Sequence, residues 1–362
     1  MADPNIEGLE VLNRRVAREL ELLTLPAAPW VPEREVGGER LLDVAIIGAG
    51  MAGLAAAAAM RNLGLNVVNY DRRPRGFEGP WATTARMETL RSPKTLTGPA
   101  LGIPSLTFRA WFEAQFGAAD WEALDKIPRL MWMDYLRWFR AVLNLDIRNR
   151  HDIAAIHLGA DYATLEMDGP AGRQRVLARH VVLATGRDGL GGPYVPAIAE
   201  SLPRERWAHS SDENDYASLR GKRVAVVGAG ASAMDSAGTA LEAGAARVDL
   251  LIRRRDIPRI NRGKGMGHPG SVAGYRYLPD DWKWRINGYV AREQVPPPRA
   301  SVLRVSRHPN AFFRQGTALL SARMEGEDIV VETSAGTMRF DFMIFSTGFK
   351  VDWDNRPFLA EI

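Results

Sequence analysis

The sequence lacks cysteine altogether, and the absence of thiols removes several kinds of chemistry. Its 362 residues cannot form a disulfide, a thiolate metal site, an iron–sulfur cluster or a C-x-x-C redox pair. The six histidines form no H-x-x-x-H or similar ligand pair, so no metal site is predicted. The composition therefore points away from thiol and metal chemistry.

Long apolar runs are missing as well. No run approaches the roughly 18 residues of a membrane span, and the N-terminus is polar and charged, unlike a signal peptide. We therefore expect a cytoplasmic protein without a membrane partner. The net charge of +4 is too small to indicate nucleic-acid binding. The length is sufficient for two sizeable domains.

The stretch from Val44 to Asp71 predicts a complete strand–turn–helix–strand unit. Residues 44–47 are apolar and rich in β-branched side chains, which favours a buried parallel strand. Residues 54–63 are Ala-rich and favour a helix. Residues 66–70 form a second apolar strand that ends at Asp71. The turn between the first strand and the helix carries glycines at the G-x-G-x-x-G spacing.

Each residue of this motif has a physical role in binding a dinucleotide. Gly48 permits the tight turn, Gly50 lets the backbone approach a pyrophosphate, and Gly53 lets helix and strand pack closely. The helix N-terminus offers free N–H groups and a positive dipole end to the phosphates. Asp71 can accept hydrogen bonds from a ribose 2′-OH. A glycine turn without a nucleotide is the alternative, and the complete unit argues against it.

Further residues are expected beside the same dinucleotide. The basic side chains predicted near its ribose and phosphates are Arg72, Arg73 and Arg75. A Gly-Pro-Trp turn brings Trp81 to the same place. The strand in HVVLATG ends at Thr185 and Gly186, where it can set a backbone amide against the dinucleotide.

Other segments are assigned to the scaffold. Residues 5–23 predict an amphipathic helix, and residues 106–142 carry aromatic side chains at the helical spacing typical of a core. Residues 145–182 alternate apolar and polar side chains and predict a small β-meander. The polar loop 88–94 has two interpretations, the rim of an active-site cleft or an ordinary solvated loop.

Residues 222–255 repeat the design of the first unit. Gly228, Gly230 and Ala233 take the three glycine positions, and alanine is accepted at the third. Ser232 begins the helix that follows. Two copies of the motif in one chain indicate two dinucleotides.

The two copies differ where the ribose binds. Asp71 suits a free 2′-OH, whereas Arg253 and Arg254 suit a 2′-phosphate through bidentate charge-assisted bonds. Asp249 lies inside the second strand, too early to replace the acid. We therefore expect FAD in the first site and NADP, in preference to NAD, in the second. The alternative for the arginines is a solvated surface cluster.

A second strand that ends in Thr-Gly lies near the C-terminus. Residues 341–349, DFMIFSTGF, mirror HVVLATG and place Thr347 and Gly348 at the strand end. We interpret this segment as a return of the chain to the first domain. The predicted boundaries are 1–40 for an N-terminal helical arm, 41–190 for the first part of the FAD-binding domain, 191–318 for the NADP-binding domain and 319–362 for the return segment.

The predicted fold class follows from these elements. It is α/β, with two Rossmann-like, three-layer dinucleotide-binding domains and a small β-meander. The NADP domain is inserted in the FAD domain.

These motifs resemble those of the class B flavin-dependent monooxygenases, which are flavoproteins with two dinucleotide-binding domains. That group contains flavin-containing, Baeyer–Villiger and N-hydroxylating monooxygenases, and the subgroup is left open. The resemblance covers roughly residues 42–355. The matching motifs are GAGMAG with its acid, GPW, the helix RLMWMDYLRWF, ATG, GAGASAMD and STGFKVD.

The resemblance implies a monooxygenase that contains FAD and consumes NADPH. NADH is the alternative electron donor. Hydride would pass from NADPH to the flavin, and O2 would then form a C4a-(hydro)peroxyflavin that oxygenates a small organic substrate. No catalytic side chain is transferred from the family. One alternative is an NAD(P)H-dependent flavin reductase that passes electrons to a quinone or a protein carrier without oxygen insertion. A catalytically idle nucleotide-binding protein is a third.

The substrate is left open by the residues. An anionic planar heterocycle, such as a purine oxidation product, suits Arg91 and Lys94, whereas an amine, a thioether or a ketone is equally compatible with the fold. Relatives usually continue well beyond the STGF segment, so we expect either a shorter type or a chain without its C-terminal piece. Aromatic-rich segments favour a homodimer.

Overall fold

The computed structural model describes residues 4–187, 189 and 191–362. By its internal contacts the chain divides into two compact units. Unit 1 comprises Met1–Gly192 and Phe349–Ile362, and unit 2 comprises Pro193–Gly348. Unit 2 is therefore inserted in the sequence of unit 1. Both units are of the α/β class that the sequence predicts.

Unit 1 begins with a helix and continues with strands and further helices. Its helices are α1 (Ile6–Leu22), α2 (Met51–Asn62), α3 (Phe108–Ala123) and α4 (Arg129–Val142). Its strands up to the crossing into unit 2 are β1 (Glu35–Val36), β2 (Glu39–Ile47), β3 (Val67–Asp71), β4 (Ile147–Asn149), β5 (Asp152–Leu158), β6 (Ala163–Gly169), β7 (Gly172–Leu183) and β8 (Gly191–Pro193).

A seven-stranded sheet lies in the middle of unit 1, with the order β4-β3-β2-β7-β6-β5 and β1 paired to β2. Strand β2 pairs in parallel with β3 and β7, which places Ile47 beside Tyr70 and Leu183 at the carboxyl ends. Burial of β2 on both faces explains its apolar sequence. Strands β5, β6 and β7 are antiparallel and form the predicted meander.

Apolar layers cover both faces of this sheet. The first contains α1 and α2 and the aromatic side chains of α3 and α4, with Phe108, Trp132 and Tyr135 fully buried. The Tyr135 hydroxyl donates to the Leu106 carbonyl at 2.7 Å, and burial raises the pKa of this phenol. The second layer belongs to the meander side of the sheet. The aromatic segment is therefore core, as predicted.

Unit 2 repeats the arrangement with a smaller sheet. Its helices are α5 (Ala231–Glu242), α6 (Pro269–Tyr275), α7 (Asp280–Glu293) and α8 (Arg299–Ser306). Its strands are β9 (Trp207–His209), β10 (Arg223–Val227), β11 (Arg247–Ile252), β12 (Ala311–Gln315), β13 (Leu319–Glu325), β14 (Asp328–Thr333), β15 (Gly336–Phe340) and β16 (Phe342–Phe345).

Five parallel strands form the main sheet of unit 2, in the order β12-β11-β10-β16-β9. Helices α5 and α8 cover one face, where Val226, Ala237 and Val305 are fully buried. The antiparallel sheet β13-β14-β15 covers the other face and buries Ile329 and Val331. Each unit thus has three layers, with helices on one side of a parallel sheet and a meander on the other.

The C-terminal return is shorter than predicted. Residues 319–348 lie in unit 2, because β16 pairs in parallel with β10 and the strands before it form the meander of that unit. Only 349–362 return to unit 1, where the last strand, β17 (Phe349–Val351), pairs with β8. Residue 190, the predicted end of the first segment, lies outside the described residues. Within the described residues, no helix is long and apolar enough to cross a bilayer.

We predict that Asp341→Asn destabilises unit 2 in a pH-dependent way. Arg223 at the start of β10 donates from its backbone to Asp341 at 2.7 Å and from its side chain to both Asp341 and Asp328. These bonds lower the pKa of Asp341, so its stabilising effect is present above the pKa of the unfolded chain and is lost as pH falls through the folded value. At pH 7 we expect a loss of about 1 kcal/mol in the free energy of unfolding.

Urea denaturation of the variant and of the wild type at a series of pH values tests this. The difference between them must shrink below about pH 4, where a carboxylate protonates. Asp281→Asn is the control, because this exposed carboxylate has no ion pair within the described residues. A difference that stayed constant down to acidic pH would contradict the assignment.

Candidate functional site: two glycine turns

The first glycine turn is held against the end of a neighbouring strand. The backbone of Gly48 has φ +103° and its N–H donates to the Tyr70 carbonyl at 2.8 Å. A Cβ on Gly48 would lie 2.4 Å from the Ala184 carbonyl oxygen, and one on Gly53 would lie 2.0 Å from the Gly48 oxygen. Both glycines are therefore required by backbone packing.

Asp71 lies at the carboxyl end of β3, directly beside this turn. One carboxylate oxygen accepts the N–H of Ala49 at 2.7 Å, and the other accepts the N–H of Arg73 at 2.8 Å. The side chain is buried, yet each oxygen retains acceptor capacity. The acid is thus fixed at the glycine turn and can accept a hydroxyl there.

Two more of the predicted residues reach this turn. The strand end at Ala184 places Thr185 beside Gly48, because the Thr185 nitrogen lies 3.6 Å from where a Cβ on Gly48 would be. Gly186 follows with φ +90°. On the other side, Gly79 of the Gly-Pro-Trp turn approaches Gly50, with 3.6 Å between its Cα and a Cβ built on Gly50.

Trp81 follows this approach and packs edge-on to Trp132, with ring centroids 6.5 Å apart. Its carbonyl accepts a hydrogen bond from Arg129 at the start of α4. The aromatic residue therefore lies near the glycine turn, as predicted, and is anchored to the aromatic core.

A cleft of about 390 Å³ opens next to the glycine turn within unit 1. It is lined by Ala49 and Leu54 from the turn and α2, by residues 75–78, and by α4. Three guanidinium groups border it, those of Arg75, Arg137 and Arg140. Arg137 and Arg140 are not predicted from the sequence, because they occur within an aromatic helix that is typical of a core.

The second glycine turn has the same construction in unit 2. Gly228 has φ +137°, its N–H donates to the Leu251 carbonyl at 3.1 Å, and a Cβ on it would lie 2.7 Å from the Ser346 carbonyl oxygen. Ser232 and Ala233 form the first turn of α5, and Ala233 is fully buried. The strand end that faces this turn is that of β16.

This relation relocates Thr347 and Gly348. The sequence predicts them in the first domain, but β16 ends in unit 2, where the Ser346 N–H donates to the Val227 carbonyl at 2.9 Å. Thr347 donates its hydroxyl to the Tyr194 carbonyl. The two residues therefore lie at the glycine turn of unit 2.

The charged residues after this turn agree with the predicted pattern. Asp249 is fully buried inside β11, where Arg247 and Arg314 hold it at 2.6 and 2.7 Å. Arg254 donates to the Arg292 carbonyl at 2.9 Å. Arg253 is exposed and has no hydrogen bond or ion pair within the part of the chain that the structure describes. It is a cation available to a ligand.

Two predicted residues, Arg72 and Lys94, are not among the described residues that line the cleft of unit 1. Arg72 is exposed and does not line the cleft of unit 1. Lys94 donates to the carbonyls of Trp121 and Glu122 at 2.8 and 3.2 Å, at the C-terminal end of α3, so its ammonium is engaged by the scaffold. Lys94 is therefore removed from the candidate residues for an anionic substrate.

Gly50 and Gly230 provide the test of whether a dinucleotide fits. A Cβ on Gly230 would meet no atom within 4 Å, and a Cβ on Gly50 would meet only the backbone of Gly79, at 3.6 Å or more. Neither glycine has a positive φ. Packing within the protein therefore does not require these two glycines, whereas the close approach of a pyrophosphate does. Among the described residues, no group of His, Asp or Glu side chains could hold a metal ion.

Comparison with known proteins agrees with this geometry. Residues 42–264 match the model of the pyridine nucleotide-disulphide oxidoreductase family. The FAD-dependent urate hydroxylase of Xanthomonas campestris pv. campestris is 41% identical over 361 residues, which cover 98% of this chain and 75% of that protein.

Solved structures share the fold at low sequence identity. Ornithine hydroxylase from Pseudomonas aeruginosa has a TM-score of 0.73 at 17% identity and covers 89% of this chain and 86% of its own. The ornithine N-hydroxylase of Kutzneria sp. 744, with reduced FAD, NADP+ and L-ornithine, has a TM-score of 0.70 at 19% identity and covers 86% and 81%. The chain belongs to the pyridine nucleotide-disulphide oxidoreductase family and, within it, to the class B-like flavin monooxygenases.

Proposed function

We propose that this flavin monooxygenase hydroxylates urate or a closely related oxopurine, with FAD at the turn of unit 1 and NADPH at the turn of unit 2. The observation that carries the proposal is the pair of complete glycine turns, one followed by Asp71 and the other by Arg253. They occur in a chain that is 41% identical to a FAD-dependent urate hydroxylase, over 98% of this chain and 75% of that protein.

In unit 1, the residues proposed to hold FAD surround the Gly48 turn. The lone pairs that remain on Asp71 would accept the ribose hydroxyls, and the N-terminus of α2 would receive the phosphates. Thr185 and Trp81 border the same turn on opposite sides. When bound, FAD supplies the hydride acceptor and the reaction with O2, while the protein binds and orients it.

In unit 2, the residues proposed to hold NADPH surround the Gly228 turn. Gly230 leaves open space for the pyrophosphate, and Arg253, which has no ion pair among the described residues, offers its guanidinium to the 2′-phosphate. Thr347 and Gly348 lie at the facing strand end.

The absence of cysteine bears on the electron acceptor. Disulfide chemistry, after which the matched family is named, needs a thiol pair, and none exists in these 362 residues. Oxygen and a small organic molecule are therefore the proposed acceptors. Each turnover consumes one NADPH and one O2, with one oxygen atom in the hydroxylated product and the other in water.

Two further points remain proposals. We propose that the enzyme acts in the cytoplasm. We also propose that it is a homodimer, and light scattering on the purified protein would measure its oligomeric state. Neither point is needed for the chemistry described above.

We predict urate-dependent consumption of NADPH and O2 by the purified protein loaded with FAD. The ratio of NADPH consumed to O2 consumed to hydroxylated urate formed is expected to approach one to one to one. The measurement combines NADPH absorbance, an oxygen electrode and chromatography of the product. Ornithine and lysine serve as comparison substrates of different chemistry.

Two outcomes would contradict this prediction. Quinone reduction with neither urate-dependent O2 uptake nor product would favour a flavin reductase. If an amine but not urate were hydroxylated with coupled NADPH oxidation, the monooxygenase activity would be supported and a purine substrate would be contradicted.

We predict that Gly230→Ala impairs NADPH use without unfolding the protein. The new Cβ meets no protein atom, so a change below about 1 kcal/mol is expected in the free energy of unfolding. The same Cβ occupies the space of the pyrophosphate, and the KM for NADPH should rise about tenfold or more. Steady-state kinetics and thermal denaturation measure the two effects.

Gly53→Ala is the matched contrast for this prediction. Its Cβ would lie 2.0 Å from the Gly48 carbonyl oxygen, so this variant should lose about 1 to 3 kcal/mol of stability. If the KM for NADPH were unchanged in Gly230→Ala, the proposal that NADPH binds at this turn would be contradicted.

We predict that Arg253→Ala lowers the preference for NADPH over NADH. The substitution removes a charge-assisted bond to the 2′-phosphate, and such a bond is worth about 1.5 to 3 kcal/mol. The kcat/KM with NADPH should therefore fall at least about tenfold while that with NADH changes little. An equal loss with both cofactors would contradict a 2′-phosphate contact.

A further inference from the structure

The segment after β3 carries three arginines, Arg72, Arg73 and Arg75. Arg72 and Arg75 are both exposed, and of the three only Arg75 is among the described residues that line the cleft of unit 1. Within the described residues, Arg75 has no hydrogen bond or ion pair. A cation without a partner borders a cleft that begins at Ala49 of the glycine turn.

The other two arginines of the cleft are engaged by the scaffold. Arg140 donates to Glu78 at 2.6 Å, to the Asn149 side chain at 2.9 Å and to the Ile147 carbonyl at 3.0 Å. Arg137 donates to the Gly76 carbonyl at 2.6 and 3.0 Å. These bonds tie the turn 76–78, which follows Arg75 directly, to helix α4.

The ion pair at the base of this turn is buried. The side chain of Glu78 is 5% exposed and that of Arg140 is 12% exposed. Glu78 also accepts the N–H of Gly76 at 2.8 Å and the Asn149 amide at 2.7 Å, so its oxygens are well satisfied. A buried pair with a complete set of hydrogen bonds fixes the conformation of the turn.

The cleft carries an excess of positive charge. Three guanidinium groups border it, and Glu78 is the one carboxylate among the described side chains that line it. Arg140 is paired with Glu78, and Arg137 is paired with Asp134 at 2.7 Å. Burial lowers the pKa of Arg140, Glu78, Asp71 and Asp146 raise it, and the charge of Arg75 lowers it, which agrees with the proximity of the two cations. Within the described residues, Arg75 is the cation of this lining without an ion pair, so an anionic ligand group would bind there.

We propose that Arg75 binds the diphosphate of FAD and that the Glu78–Arg140 pair is the positioning element for the turn that carries it. The inference rests on the proposed presence of FAD in unit 1. It assigns the phosphate contact to Arg75 among the three arginines, Arg72, Arg73 and Arg75, that the sequence predicts beside the ribose and phosphates. Asp71 would then hold the ribose at one side of the turn while Arg75 neutralises the phosphates at the other.

FAD titration of apoprotein prepared from the full chain tests the contact, with flavin fluorescence as the readout. Arg75→Gln should raise the Kd for FAD about tenfold or more, because a charge-assisted bond is lost. Arg14→Gln, which removes an exposed cation on α1, should leave the Kd unchanged. Arg72→Gln should have a smaller effect than Arg75→Gln. The reverse order would overturn the proposal.

Competition by ADP and by adenosine separates the phosphates from the rest of the cofactor. With the competitor's inhibition constant corrected for the weaker FAD binding of the variant, Arg75→Gln should raise the inhibition constant of ADP about tenfold and leave that of adenosine unchanged. An equal loss for both competitors would overturn a phosphate contact. Salt should weaken FAD binding more in the wild type than in Arg75→Gln, because the bond is electrostatic.

A double-variant cycle tests the positioning role. Arg140→Lys keeps the charge but loses the fork that holds Glu78 and Asn149, and it should raise the Kd for FAD. If Arg140 acts through Arg75, its substitution should have little further effect in the Arg75→Gln background. Fully additive losses would overturn the positioning role, and thermal denaturation of each variant identifies losses due to unfolding.

These results are distinguishable from a failure of the proposed function. Suppose that the wild type binds FAD and couples NADPH oxidation to oxygenation, and that Arg75→Gln binds FAD with wild-type affinity. The contact between Arg75 and the diphosphate is then overturned, and the proposed function stands. If wild type binds no FAD, the proposed function itself fails.

Discussion

The close approach of each glycine turn to the end of a neighbouring strand is the constraint on which both units depend. A Cβ on Gly48 would lie 2.4 Å from the Ala184 oxygen, and a Cβ on Gly228 would lie 2.7 Å from the Ser346 oxygen. Because the backbone is this close, the turn, the helix N-terminus and the strand end occupy one edge of each sheet. That edge is where open α/β sheets bind ligands. The binding edges therefore arise from backbone geometry, and side chains only select the ligand.

Charge then distinguishes the two edges. In unit 1 an acid stands at the end of the second strand, and two backbone N–H groups hold its carboxylate. In unit 2 the comparable acid, Asp249, lies within the strand and is neutralised by Arg247 and Arg314. The position after that strand carries Arg253 instead, which has no ion pair in the part of the chain that the structure describes. The same fold therefore presents two different groups in the two units. Unit 1 presents a hydrogen-bond acceptor suited to a free ribose hydroxyl, and unit 2 presents a cation suited to a phosphate.

The sequence predicts the parts of this arrangement that depend on local spacing. The strand–turn–helix units and the aromatic core are local patterns, and the structure has them where expected. Which sheet a strand joins is not local: DFMIFSTGF resembles HVVLATG, and only its pairing with β10 places it in unit 2. Arg140 could not be found either, because its partner Glu78 is 62 positions away in sequence. Lys94 seemed free for the same reason, since its carbonyl partners lie 27 and 28 residues further on.

The route of the electrons follows from what the chain contains. The two dinucleotide edges would hold FAD and NADPH, the two cofactors that together would supply the redox chemistry, and a relative 41% identical to this chain is FAD-dependent. A family that reduces disulfides needs a thiol pair as the next carrier, and this chain has none. Reducing equivalents must then leave with a diffusible acceptor. Molecular oxygen is such an acceptor, and it is the one that agrees with the class B-like flavin monooxygenases to which the chain belongs.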